Sequence, residues 1–312
     1  MNLGRANLDE LGAVLLAMGQ ADRDLLVVTS DSRGSGKLVP FGRELPAQII
    51  EVGIAEQNLV GMSAGLASAG KTVFAVSPAC FLTARSLEQI KNDVAYSDNA
   101  VKLIGISAGV SYGALGSTHH SLHDYAALQA INNIDIVAPA DNFETAAVIE
   151  AAVNHPRPLY IRFGKQSMLH LHPPETDFTI GKAIPLRSGS DVTFLAIGEP
   201  VSRAVQAADQ LTEQGIRAGV VSVHTLKPLD EELILDIATQ SSAIVTVEEH
   251  SVYGGLGSTI AQLLMQTGIY WPFKIVGIPD EYTVTGSQNE ILAHYGITPE
   301  GLAETARVLL AE

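Results

Sequence analysis

Short apolar runs alternate with longer stretches of helical period along the first half of the chain. Residues 25–30 (LLVVTS), 71–77 (KTVFAVS), 101–107 (VKLIGIS), 134–139 (IDIVAP) and 158–164 (PLYIRFG) are nearly continuous and β-rich, as strands buried on both faces of a parallel sheet require. Between them, residues 54–69, 82–96 and 143–153 place apolar side chains at helical spacing, the last behind a capping Asp141 or Asn142. This alternation predicts an α/β domain, a mainly parallel sheet layered with helices. The rhythm breaks between residues 165 and 190, where His170, His172, Pro173, Pro174 and the RSGS stretch suit an interdomain connection with its boundary near Gly181. It then resumes with strands at 191–198, 216–223, 242–249 and 273–278 and a helix at 201–214. The expected organisation is a first α/β domain over 1–166, a linker over 167–188 and a second, smaller α/β domain over 189–312. Two domains also suit a length of 312 residues, because single cores stop growing at about 250–300 residues. No tandem repeat or low-complexity segment interrupts this order.

Composition narrows the function classes. Hydrophobic residues make up 46% and charged residues 17%, which excludes a disordered chain. A net charge of −15 disfavours nucleic acid, whose binding depends on Lys and Arg neutralising phosphates. Cys80 is the single cysteine and has no internal disulfide partner, and the N-terminus lacks the basic flank and apolar stretch of a signal peptide. The apolar runs are too short and interrupted to cross a bilayer. A soluble, cytoplasmic protein is expected, without a membrane partner.

Among the polar residues, Glu56 opens a helix that is otherwise almost wholly apolar and small. A carboxylate buried there is costly without a partner, although a first-turn acid also simply favours the positive end of a helix. The Gly-bounded THH at 118–120 places His119 and His120 between a strand and a helix, where α/β proteins bind ligands. The loop TSDSRGSGK at 29–37 carries Arg33 and Ser35, and the strand end YIRFGK at 160–165 carries Arg162 and Lys165. The YGGLGS turn at 253–258 precedes a helix and reads as structural, because one glycine-rich turn is a weak anion signal.

The segments GIAEQN (53–58), AGLASAGK (64–71), RSLEQIKNDVAY (85–96), GSTHHSLHD (116–124) and APADNFETAA (138–147) together resemble, in order, the pyrimidine-binding domain of the transketolase family, including 1-deoxyxylulose-5-phosphate synthase. HTLKPLD (224–230) and VEEHSVYGGLGS (247–258) resemble that family's C-terminal domain, so the likeness spans nearly the whole chain. It implies a thiamine diphosphate enzyme in which Glu56 hydrogen-bonds N1′ of the aminopyrimidine and so activates the cofactor for ketol transfer. The resemblance further implies that Phe81 stacks on the aminopyrimidine ring, though an ordinary core position also suits a phenylalanine. It sets His119 beside the substrate carbonyl and hydroxyls, gives Arg162, assisted by Lys165, to the sugar phosphate, and makes Arg33 and Ser35 polar substrate contacts, though Arg162 and Lys165 also suit a plain strand-end cap and the GSG loop a plain turn. Glu56 and His119 are thus the expected catalytic residues.

Some positions depart from the family pattern. Pro78 and Ala79 stand where a second aromatic is expected, Ser107 where transketolases often carry histidine, and Leu115 where an aspartate reads the donor's hydroxyls. Losing that acid while keeping Glu56 predicts an unusual donor, such as a branched, deoxygenated or sulfonated sugar. The chain also has no GDG followed by an asparagine-containing metal motif, so Mg2+ is expected to find no ligands here. A separate N-terminal transketolase subunit would carry the diphosphate-binding domain and join this chain in an α2β2 assembly. Two alternatives are the β subunit of a 2-oxo-acid dehydrogenase and a non-catalytic scaffolding or regulatory partner. GIAEQN and GSTHH argue against the first, and the retained Glu56 against the second.

Overall fold

A computed structural model describes residues 2–173 and 175–311; Pro174 of the expected linker and the two terminal residues lie outside the described part. The first part of the chain supplies β1 (Leu3–Ala6), β2 (Leu25–Thr29), β3 (Ile49–Glu51), β4 (Thr72–Pro78), β5 (Lys102–Ile106), β6 (Asp135–Val137), β7 (Leu159–Arg162) and β8 (Ser167–Leu169). The second supplies β9 (Ile184–Arg187), β10 (Val192–Ala196), β11 (Ala218–Ser222), β12 (Thr225–Lys227), β13 (Ile244–Ser251) and β14 (Phe273–Ile278). A seven-stranded sheet runs in the order β12-β6-β7-β5-β4-β2-β3 and a five-stranded sheet in the order β14-β13-β10-β11-β9. Both are parallel except at one edge, where β12 and β9 pair antiparallel. The α/β class expected from the apolar runs is the observed one.

The central strands are buried along their whole length, β5 and β10 at every residue. Even Lys102 in β5 is inside, its Nζ donating to the carbonyls of His155 and Arg157 at 2.6 and 3.1 Å, and burial pulls its ammonium down to about 8.

Three features depart from the sequence pattern. The helix Asn7–Ala21 is not brought out by it, and its N-cap, Ala6, offers no side-chain acceptor. The helix expected over 82–96 is instead Ala79–Arg85, a short turn Leu87–Gln89 and a π-helix Ile90–Tyr96. The break falls at Ser86, whose hydroxyl donates back to Leu82 O at 2.5 Å, competing with the regular ladder. The expected 167–188 linker is also not irregular throughout. β8 pairs with β1, and β9 closes the edge of the second sheet.

The two sheets are joined rather than strung together. β12, from the second half, extends the first sheet beside β6. One apolar cluster holds Ile134, Ile136 and Ala138 together with Leu195, Ile197, Val221 and Leu226. His172 pins the connection: its buried Nδ1 lies 3.0 Å from Asp141 Oδ2 and its Nε2 3.1 Å from Glu144 Oε1. Burial alone would lower this imidazole, but the two acids outweigh it and raise it from 6.5 to about 9. A folded value above the unfolded one stabilises fully below about pH 6.5 and is lost as pH rises through 9. The span corresponds to stability on the order of 3 kcal/mol. Urea melts between pH 6 and 10 are expected to show wild type losing that stability while His172→Gln, less stable at pH 6, loses much less; parallel curves would exclude the clamp.

Candidate active site

The C-terminal ends of β2, β4 and β5 open on one edge of the first sheet, the edge at which parallel α/β sheets bind ligands. Glu56 begins the helix Glu56–Ser68. It is 1% exposed although the preceding Ile54 is 73% exposed. Its Oε2 accepts from Arg85 Nη1 at 2.6 Å, the partner that a buried carboxylate needs. Phe81 and Arg85 sit four residues apart on the helix Ala79–Arg85, hence on one face, and the guanidinium carbon lies 5.0 Å from the Phe81 ring centre. His119 meets the same ring edge-on, with centres 5.4 Å apart. The structure therefore links Glu56, Phe81 and His119 in a chain of contacts, Arg85 joining Glu56 to Phe81 and His119 meeting the Phe81 ring. An open cleft of about 420 Å³ lies here, lined by Cys80, Phe81, Ala84, Arg85, Ser117, Thr118, His120 and His123. Burial pushes the Cys80 thiol up to about 11, which argues against a nucleophilic role.

The loop that carries His119 is fixed from several sides. Ser107, which opens it, is fully buried with a φ of 54°, a left-handed conformation that costs a non-glycine residue energy and tends to occur at functional sites. Val110 N donates to Glu249 Oε1 at 2.7 Å. His120 shares a proton with Thr283 Oγ1 at 2.7 Å and faces Gly113 O at 3.0 Å, so the second domain holds the residue beside His119. The Thr118 hydroxyl lies 3.0 Å from His119 Nδ1, which leaves Nε2 for a ligand. The Tyr112 ring meets His119 edge-on at 5.4 Å, and Lys165 Nζ stands 3.9 Å from the Tyr112 ring centre. Leu115 is 55% exposed on this loop.

Arg33 and Ser35 lie on the loop after β2, which the Ser30 hydroxyl ties to Ser77 in β4 at 2.7 Å. Asp31 and Lys37 in this loop also have positive φ, 52° and 60°. Arg33 Nε is 3.6 Å from Glu51 Oε2 and Ser35 donates to Ser32 O at 3.2 Å. Among the described residues no hydrogen bond or ion pair joins either of them to Glu56, Phe81 or His119.

Arg162, expected at the sugar phosphate, is engaged inside the protein. It is 7% exposed. Its Nε donates to Asp124 Oδ2 at 2.8 Å, and its Nη2 to Ser121 O at 3.1 Å and Glu249 O at 2.8 Å. The guanidinium also covers the Tyr125 ring at 4.5 Å. Those contacts tie the first domain to β13. The 253–258 turn is structural as expected, since Glu248 already accepts from Leu256 N and Gly257 N at 2.8 and 2.9 Å.

Sequence reasoning does not single out Arg85, Tyr112 or Glu249. Only Arg85 carries a legible signal, its four-residue spacing from Phe81. Glu249 is brought to the loop by the packing of one domain on the other, which no local pattern encodes. Among the described residues no cluster of His, Cys, Asp or Glu is suited to a metal ion, and no helix is long and apolar enough to cross a membrane.

A buried acid opens an apolar helix, with an aromatic one helix away and a histidine on the facing loop. Residues 6–169 match the transketolase pyrimidine binding domain and residues 181–302 the transketolase C-terminal domain; the chain belongs to the transketolase family. It is 47% identical over 293 residues to an apulose-4-phosphate transketolase subunit of Phocaeicola vulgatus, covering 94% of this chain and 93% of that one. It is 34% identical to a 6-deoxy-6-sulfo-D-fructose transketolase subunit of a Clostridium species, covering 94% and 91%. A solved structure described as a split gene transketolase in an inactive beta4 tetramer superposes with a TM-score of 0.88 at 33% identity, over 99% of both chains.

Proposed function

We propose that the chain is the glutamate-bearing subunit of a split transketolase, active with a second subunit that holds the diphosphate of thiamine diphosphate and its Mg2+. The reaction is transfer of a two-carbon ketol unit from a phosphorylated ketose to an aldose. The observation that carries this reading is the buried Glu56 carboxylate held by Arg85, which also lies over Phe81, the ring that His119 meets. The residues fit the cofactor's pyrimidine end: Glu56 would accept the hydrogen bond of N1′, and the Phe81 face would take the ring. When bound, the cofactor would supply the nucleophilic carbon and the electron sink for carbon–carbon cleavage. Glu56 shares the activating proton in a site where burial strengthens the charged hydrogen bond. His119 Nε2 orients the donor's oxygens, and Arg33 and Ser35 contact substrate from the flanking loop. Mixing this chain with a diphosphate-binding subunit, thiamine diphosphate and magnesium is expected to give an α2β2 complex that exchanges ketol units between sugars, with neither subunit active alone. Full activity of this chain by itself, or acyl transfer to a lipoyl carrier in place of sugar exchange, would exclude the reading.

The donor follows from what surrounds His119. Leu115 cannot accept a hydrogen bond from a sugar hydroxyl, and the buried Ser107 hydroxyl has no partner among the described residues. Relatives named for apulose 4-phosphate and for a sulfo-sugar support a donor outside the common ketose phosphates. With Arg162 committed inside, the anionic end of the donor passes to Lys165, which no acid pairs among the described salt bridges and which stands two ring contacts from His119. Lys165→Gln is expected to raise KM about tenfold for phosphorylated donors and little for neutral ones, the scale of one charge-assisted contact. An equal change for both would remove Lys165 from phosphate recognition.

A further inference from the structure

Arg85 engages both groups that an aminopyrimidine would need. Its Nη1 donates to the Glu56 carboxylate at 2.6 Å, and its guanidinium carbon lies over the Phe81 ring, 5.0 Å from the ring centre. A planar cation with N–H donors at its edge mimics the cofactor's ring in both respects, stacking on an aromatic face and donating to a carboxylate. The two sides of the pair differ in environment. The Glu56 side chain is 2% exposed while that of Arg85 is 46% exposed, so the arginine can swing into solvent and the glutamate cannot. His119 stands at 75° to the Phe81 ring with centres 5.4 Å apart, while the Arg85 guanidinium lies over that ring.

We propose that Arg85 is a placeholder for the cofactor's aminopyrimidine: in the free subunit it neutralises Glu56 and covers Phe81, and it leaves both when the cofactor arrives. Without it, the free chain would carry an ionised carboxylate buried with no partner, which is strongly unfavourable. The same contact competes with cofactor binding, so apparent affinity is reduced by the fraction of chains whose seat is open. The proposal rests on the thiamine diphosphate reading of the cleft.

The test titrates thiamine diphosphate with magnesium into the assembled complex by calorimetry, for wild type, Arg85→Leu and Arg85→Lys. The leucine variant should bind about tenfold tighter, the effect of removing a competitor worth about 1.4 kcal/mol. The free leucine variant should melt earlier than wild type, and Glu56→Gln added to it should restore most of the loss, since the amide needs no counter-charge. Arg85→Lys keeps the charge without the planar stack, so it should bind about threefold tighter and decides the matter if the leucine variant misfolds. Weaker or unchanged binding by the variants, with wild type binding well, makes Arg85 a cofactor-positioning residue or a bystander and overturns the placeholder alone. No binding by wild type or variants overturns the cofactor reading and the placeholder with it.

Discussion

Glu56→Gln is expected to lower kcat of the assembled enzyme by about 10²- to 10⁴-fold, the range that a positioned proton-transfer group supplies. The substitution keeps the shape of a residue that is 1% exposed and removes the carboxylate that would share the proton with N1′. The amide is less costly to bury than an ion, so loss of the 2.6 Å contact with the half-exposed Arg85 leaves folding and assembly nearly intact. Mass measurement should find the same complex as wild type, and calorimetry should find thiamine diphosphate still bound, because on the proposed reading the other subunit would hold its diphosphate. The separating measurement is exchange of the cofactor's C2 proton followed by NMR, which should slow with kcat. If turnover and C2 exchange stay near wild type, Glu56 is only a helix-end acid and the catalytic reading of the cleft falls.

Continuity of burial decides how much of the fold can be read from the sequence. Segments such as 101–107 lie at the centre of a sheet, are apolar on both faces, and announce themselves by composition. β12 and β9 are edge strands of three and four residues. β12 sits in HTLKPLD, a segment that local patterning gives no reason to assign to the first sheet, and β9 falls inside an apparent linker. The site is legible where chemistry conflicts with surroundings. Glu56 stands out because an acid does not belong in that helix, and the THH loop because glycines bound it. Arg162 shows the limit of this logic. Its residue type and strand-end position suit a phosphate ligand, but the acid that claims it, Asp124, is 38 positions away in the chain. Only the packed structure shows that the charge is already matched.

Arg162→Ala is accordingly expected to act on stability before substrate binding. The substitution would strand Asp124, which is wholly buried and whose carboxyl is kept low, against the pull of burial, by Arg162, His250 and Tyr160. Tyr160 still donates to Asp124 Oδ2 at 2.7 Å, but burial holds His250 down at about 4, so it brings no charge near neutral pH. Breaking one side of a buried ion pair typically costs about 3–5 kcal/mol, a large share of the roughly 5–15 kcal/mol that holds a domain folded. Losing the bonds to Ser121 O and Glu249 O would also loosen the second domain from the His119 loop. Because a depressed carboxyl stabilises the fold above its unfolded pKa and loses that effect as pH falls, the variant's deficit should be larger at pH 7 than at pH 4. Asp124→Asn added to Arg162→Ala should recover part of the loss, since it removes the uncompensated charge. Urea unfolding of wild type, the two single variants and the double variant at both pH values measures the coupling directly. An Arg162→Ala protein with wild-type stability and a raised KM confined to phosphorylated sugars would return Arg162 to the substrate and refute the structural role.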